Sequence, residues 1–129
     1  MNRKGFMFIL MIILMLVITG NKSEYRIFTE KFEKNYIKVV LYVDTSNTLE
    51  NLKLIHSKQE EISQLRILLH NIKDKVPENK IEEYQAYQQD YEVLLFLSNI
   101  VDSWDWLTPE ELKEVEDKIL EVTVKKEYH

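Results

Sequence analysis

His56 and His70 are each followed four residues later by a carboxylate, Glu60 and Asp74, and on a helix that spacing puts both members of a pair on one face. Histidine with a carboxylate is the combination used for proton transfer and for holding transition metals. The two histidines are fourteen residues apart. At about 1.5 Å per residue that is about 21 Å of helix, too far to share one ion or one reacting atom. A metal site would need ligands from other helices, and neither Glu-x-x-His nor His-Glu-x-x-His occurs. The pairs are expected to be surface ion pairs or a polar notch. A helical metal or small-ligand carrier built on His56, Glu60, His70 and Asp74 stands as the third functional reading.

A second constellation lies at residues 102–114, DSWDWLTPEELKE. Trp104 and Trp106 sit among Asp102, Asp105, Glu110 and Glu111, and paired indoles with acidic neighbours suit a sugar, a peptide or a cationic group. A third is the stripe Tyr84, Tyr87 and Tyr91, which offers either a stacking face or three side chains wedged between helices. No glycine-rich loop or nucleophile elbow is present, and Ser98 and Ser103 have no nearby histidine in the sequence. No catalytic residues, metal or cofactor are therefore assigned, and a non-enzymatic role is expected.

The elements that must position these residues follow from apolar spacing. Tyr25, Phe28, Phe32, Tyr36, Val39 or Val40, and Val43 recur at three and four, predicting a first helix over about 24–43, although the β-branched run IKVVLYV leaves a strand open at its end. Asn47 and Glu50 form a capping box for a second helix, in which Leu49, Leu52, Ile55, Ile62, Leu65, Leu69, Ile72 and Val76 make a coiled-coil-like seam interrupted at Gln59. That rod is expected to run unbroken to Pro77. Asn79 with Glu82 offers a box for a third helix over about 80–102, whose second half, VLLFLSNIV, is apolar nearly all round and is the expected centre of the core. Thr108, Pro109 and Glu111, with Leu107 and Leu112 as a hydrophobic staple, define the start of a fourth. The 102–114 stretch is thus first a corner between two helices. Only two glycines and two prolines interrupt the chain, which favours long helices. The expected fold is all-α, a small antiparallel bundle of three to four helices.

With no cysteine, disulfides, thiolate metal sites and lipid attachment through sulfur are excluded. Net charge is −5, unevenly spread: residues 21–75 carry ten Lys/Arg against eight Asp/Glu, whereas residues 76–121 carry three against thirteen. An acidic second half argues against nucleic acid and for a basic protein partner. The near absence of alanine beside abundant Lys, Ile, Asn, Glu and Tyr is what an AT-rich bacterial genome encodes.

Residues 1–20 resemble a signal peptide. Arg3 and Lys4 precede an unbroken apolar run from Phe6 to Ile18, which at about 1.5 Å per residue reaches only about 20 Å of the roughly 30 Å hydrocarbon core. Val17-Ile18-Thr19-Gly20 has the order of a lipobox, but Asn21 occupies the position of the modified cysteine. Ile18 also makes Gly20 a mediocre cleavage site. Either cleavage releases residues 21–129 as a secreted bundle, or residues 5–19 remain as a short membrane anchor with snorkelling basic flanks. Both put the domain outside the cytoplasm. The leading functional expectation is a non-catalytic protein-interaction module that uses the Trp104/Trp106 corner. An inhibitor or immunity-type protein against an exported enzyme or toxin is the second reading. The seam of the second helix also permits a homodimer.

Overall fold

The computed structural model describes residues 24–127, and the expected signal or anchor segment, 1–20, lies outside them. The chain is all-helical there, with no strand. Helix α1 covers described residues 24–40; α2 is Thr48–His56, α3 Gln59–Ile72, α4 Ile81–Ile100 and α5 Pro109–Glu127. Short 3₁₀ turns occupy Lys73–Lys75, Glu78–Lys80 and Val101–Trp106. No helix among the described residues is long and apolar enough to cross a membrane.

Helix α4 is the axis. Its neighbour α1 runs parallel to it, since Tyr25 meets Glu83, Phe32 meets Tyr87, and the Asp90 carboxylate acts on Tyr36. Helix α3 runs antiparallel, with Leu69 opposite Tyr84 and Gln59 opposite Ser98. So does α5, where Lys125 reaches Asp90 and Lys118 lies over the Phe96 ring. The face of α4 that carries Tyr87, Val93, Leu94, Leu97 and Ser98 is therefore covered, while Gln85, Gln88, Glu92 and Leu95 stay exposed. Val93, Leu94, Leu97 and Ser98 are all buried, together with Phe28, Phe32, Tyr36, Val40, Leu52, Ile55, Leu65, Val115 and Val122. This is where the apolar run VLLFLSNIV had placed the core.

Among the described residues five helices form rather than three or four, because the expected second rod breaks between α2 and α3. Ser57 caps α2 through backbone bonds to Ile55 and Lys53, and its Oγ donates to the Leu54 carbonyl at 2.6 Å. Gln59, which stood in an apolar position of the seam, donates instead to Ser98 Oγ on α4. His56 Nδ1 lies 2.8 Å from the Ser98 carbonyl and must donate to it, since a carbonyl only accepts. With the proton there, the Gln59 amide cannot also donate to Nδ1. Ser98 is fully buried, so these bonds answer a polar group that a continuous apolar seam would have left unpaired.

The other ends also differ in part from expectation. Helix α1 stops at 40 and turns over 41–42, with no strand, and Lys126 from α5 donates to the carbonyl of Val43, a cation where the helix dipole ends negative. Asn47 caps α2 as expected, accepting from the Glu50 amide at 3.1 Å. Asn79 does not cap α4: it lies within the 3₁₀ turn, and Lys80 occupies the cap position without a side-chain bond. Pro77, fixed near its usual φ at −60°, forces this turn, and the Lys80 amide closes it on the Pro77 carbonyl at 2.9 Å.

Asn51 ties the α1–α2 connection together. Only 2% exposed, it accepts from the Asp44 amide at 3.1 Å and donates to the Asp44 carbonyl. Asn51→Ala leaves two backbone groups unpaired and is expected to cost about 1–3 kcal/mol in denaturant unfolding. A loss below about 0.5 kcal/mol would show that this clamp does not hold the turn.

Inside the bundle Lys125 lies between Asp90 and Glu121, 3.1 Å from the latter. Burial pulls the ammonium down, but the bonds and charges of Asp90 and Glu121 outweigh it and raise the pKa above the ordinary lysine value. Burial and nearby carboxylates likewise raise the Tyr25, Tyr36 and Tyr87 phenols. All four hold their protons more tightly folded than unfolded. Their contribution is complete below about pH 10 and is lost as pH rises through the folded values. Circular dichroism during alkaline titration should show cooperative unfolding that begins above about pH 10, with ionisation of Tyr25, Tyr36 and Tyr87 following rather than preceding it. Ionisation of these tyrosines in a still-folded chain would contradict this.

Candidate functional site

The corner is built from its caps outward. Thr108 Oγ1 accepts from the Glu111 amide and Glu111 Oε1 accepts from the Thr108 amide, both at 3.1 Å, so the expected capping box is complete. Pro109 opens α5. Glu110 and Glu111 stand in its first turn, where negative charge meets the positive helix end. Before them, Val101–Trp106 winds as a 3₁₀ turn against α2 and ends at Leu107, whose backbone is extended and whose amide returns to the Trp104 carbonyl.

This winding separates the two indoles. Trp104 is half-buried and packs on the core. Trp106 is 83% exposed, the most exposed large hydrophobic side chain among the described residues. Asp102, Asp105 and Glu110 surround it in sequence, all exposed. A rigidly framed indole with an acidic rim can bury against a partner and attract a cation to its ring face. Of the acids, Glu111 already has a partner in the capping box.

The tyrosine stripe is elsewhere. Tyr87 is buried, 4.7 Å from the Phe32 ring and edge-on to Phe28 at 5.6 Å, and its hydroxyl donates to Glu33 at 3.0 Å. Tyr84 is half-buried and donates to the Leu69 carbonyl at 3.0 Å. Tyr91 is half-buried in the groove between α3 and α4. Along α4 the stretch from Tyr87 to Trp104 spans about 25 Å at about 1.5 Å per residue, so tyrosines and corner do not form one site. Neither histidine shares a helix face with its carboxylate, although His56 joins Gln59 and Ser98 in a polar notch between helices. The α2–α3 break puts His56 and Glu60 on different helices, and His56 turns to Ser98. His70 is exposed on α3, and Asp74 lies beyond that helix in a 3₁₀ turn. Among the described residues no group of three or more His, Asp or Glu side chains could hold a metal ion.

One feature the sequence reading passed over is a groove of about 270 Å³ between α3 and α4, lined by Arg66, His70 and Lys73 on one wall and Tyr84, Gln88, Tyr91 and Glu92 on the other. Its signal was the spacing of Arg66, His70 and Lys73 by four and three residues. Another is Asp90, a buried carboxylate whose partner Lys125 is 35 residues away.

Trp106→Ala should change stability by less than about 0.5 kcal/mol, whereas Trp104→Ala should cost at least about 1 kcal/mol. Equal costs in thermal unfolding would mean that both indoles are structural. Comparison with protein-family models, with curated proteins and with solved structures finds no match for this chain.

Proposed function

We propose that this chain is a non-catalytic interaction module working outside the cytoplasmic membrane, to which its N-terminal segment delivers or anchors it. Its contact surface is the acidic corner around Trp106, and its partner is a protein with a basic face. The observation that carries this reading is the 83% exposure of Trp106 within a turn that packs its neighbour Trp104 away. An indole left in water beside a capped helix start forgoes burial worth about 1.5–3 kcal/mol for a large side chain, a loss that a binding partner recovers. The charge distribution supports the same reading, since the acids of residues 76–121 favour a cationic face and discourage nucleic acid.

Position along the bundle adds a second support. Residue 25 sits at the Glu83 end of α4, while the corner follows Ile100 at the other end. The 20 residues of α4 span about 30 Å at about 1.5 Å per residue, so an anchor at residues 5–19 would hold the corner on the side away from the bilayer. A photo-crosslinking side chain placed at position 106 in producing cells should capture a protein, and the yield should fall as salt rises. Capture no greater than from position 60, on exposed α3 surface, would overturn the proposal.

A further inference from the structure

The groove between α3 and α4 carries charge that the fold does not use. Arg66 and His70 lie on α3, and Lys73 follows as its C-cap with the backbone still helical, at φ −52° and ψ −36°. At 3.6 residues per turn the three point within about 60° of one another. All are exposed, and none makes an ion pair among the described residues. Like charges at these spacings repel, so an anion beside this wall is stabilising. On the opposite wall Tyr84 is fixed by its bond to the Leu69 carbonyl, and Tyr91, half-buried, has no hydrogen-bond partner for its hydroxyl among the described residues. Two carboxylates lie close by, Glu92 in the groove lining and Asp74 next to Lys73, and neither pairs with the three basic side chains.

Spacing selects the anion. His70 is four residues from Arg66 and three from Lys73, about 6 Å and about 4.5 Å along the helix at about 1.5 Å per residue. The long Arg and Lys side chains cover those distances, so all three residues can converge on one group beside His70. A carboxylate brings two oxygens and one charge, which a single guanidinium fork satisfies. A phosphomonoester brings three terminal oxygens and a charge of about −1.5 to −2 at neutral pH, matching two fixed cations and an imidazole donor. We propose that this groove binds a phosphomonoester, its phosphate held by Arg66, His70 and Lys73 and its organic part lying against the Tyr84 and Tyr91 rings. At about 270 Å³ the groove is below the roughly 300–1,000 Å³ of most small-molecule pockets, so the bound group is small. Two sources of that chemistry reach it. One is a soluble ester; the other is a lipid headgroup, since Lys75, two residues past Lys73, pairs with Glu24 at 3.5 Å where the N-terminal segment joins the bundle. The site uses no residue of the Trp106 corner and stands independently of it.

The test uses the full chain in phosphatidylcholine nanodiscs, with the NMR signals of the His70 ring as the readout. Phenyl phosphate should shift them saturably and bind about ten-fold or more tighter than benzoate, which keeps the ring but carries a carboxylate. Arg66→Ala and Lys73→Ala, both at exposed positions that leave the bundle folded, should each weaken binding by about ten-fold. Tyr91→Phe should weaken it a few-fold, Glu92→Gln should tighten it, and Lys113→Ala, on exposed α5 surface, should leave it unchanged. Phosphatidic acid added to the disc separates the sources: the same shift without phenyl phosphate identifies a lipid headgroup, and a shift with phenyl phosphate alone identifies a soluble ester. No shift with either, equal affinity for benzoate, or binding that R66A and K73A leave intact would overturn the site.

Discussion

Tyr87, Asp90, Val93, Leu94, Leu97 and Ser98 are buried on one broad face of α4, with Phe96 half-covered at its edge and Gln85, Gln88, Glu92 and Leu95 left to water on the other side, so α4 carries a face that must be enclosed. Enclosing it is the constraint on which the other elements depend. Helices α1, α3 and α5 each supply one apolar face, and their directions follow from short connections that reverse the chain. The aromatic side chains of α1 do this against the first half of α4, with Phe28 and Phe32 on Tyr87, and aliphatic residues do it against the second. With glycine nearly absent, the turns are made by 3₁₀ segments and capped helix ends.

An apolar core of this kind tolerates alternative slides of one helix along another, and buried polar groups remove that freedom. Ser98 accepts from His56 through its carbonyl and from Gln59 through its hydroxyl; Asn51 grips Asp44; Lys125 sits between Asp90 and Glu121. Each would be left costly and unpaired by a shift of one turn. No described buried side-chain nitrogen or oxygen lacks a partner, which is the condition for such groups to specify an arrangement rather than weaken it. The break between α2 and α3 belongs with these devices, since it delivers both His56 and Gln59 to the same serine.

The surface follows from the interior. Once Trp104 is drawn onto the core, the tight winding of the 3₁₀ turn leaves Trp106 outward, and the first turn of α5 places Glu110 and Glu111 a few residues after it. Once Leu69 and Tyr84 hold α3 against α4, the cations that follow the same helical period as Leu69 line the groove edge. Local demands of capping and burial thus decide which charged side chains face water at the groove and at the corner.

Helix existence, the place of the core and the start of α5 were legible in the residues alone, because they depend on interactions within a few positions. Apolar spacing marks a face, and Thr108 with Glu111 closes a cap across three residues. The corner was legible as a corner for the same reason, but not which of its two tryptophans is exposed. Tertiary structure decided that, together with the break at Ser57, the failure of Asn79 to cap, the burial of Tyr87, and the pairing of Lys125 with Asp90. Partners such as Ser98 and Gln59, 39 residues apart, or Lys126 and Val43, 83 apart, meet only after the helices have packed. A polar residue in an apolar seam has no local energy that says whether it is a flaw or a bond to another helix; its partner comes from the packing.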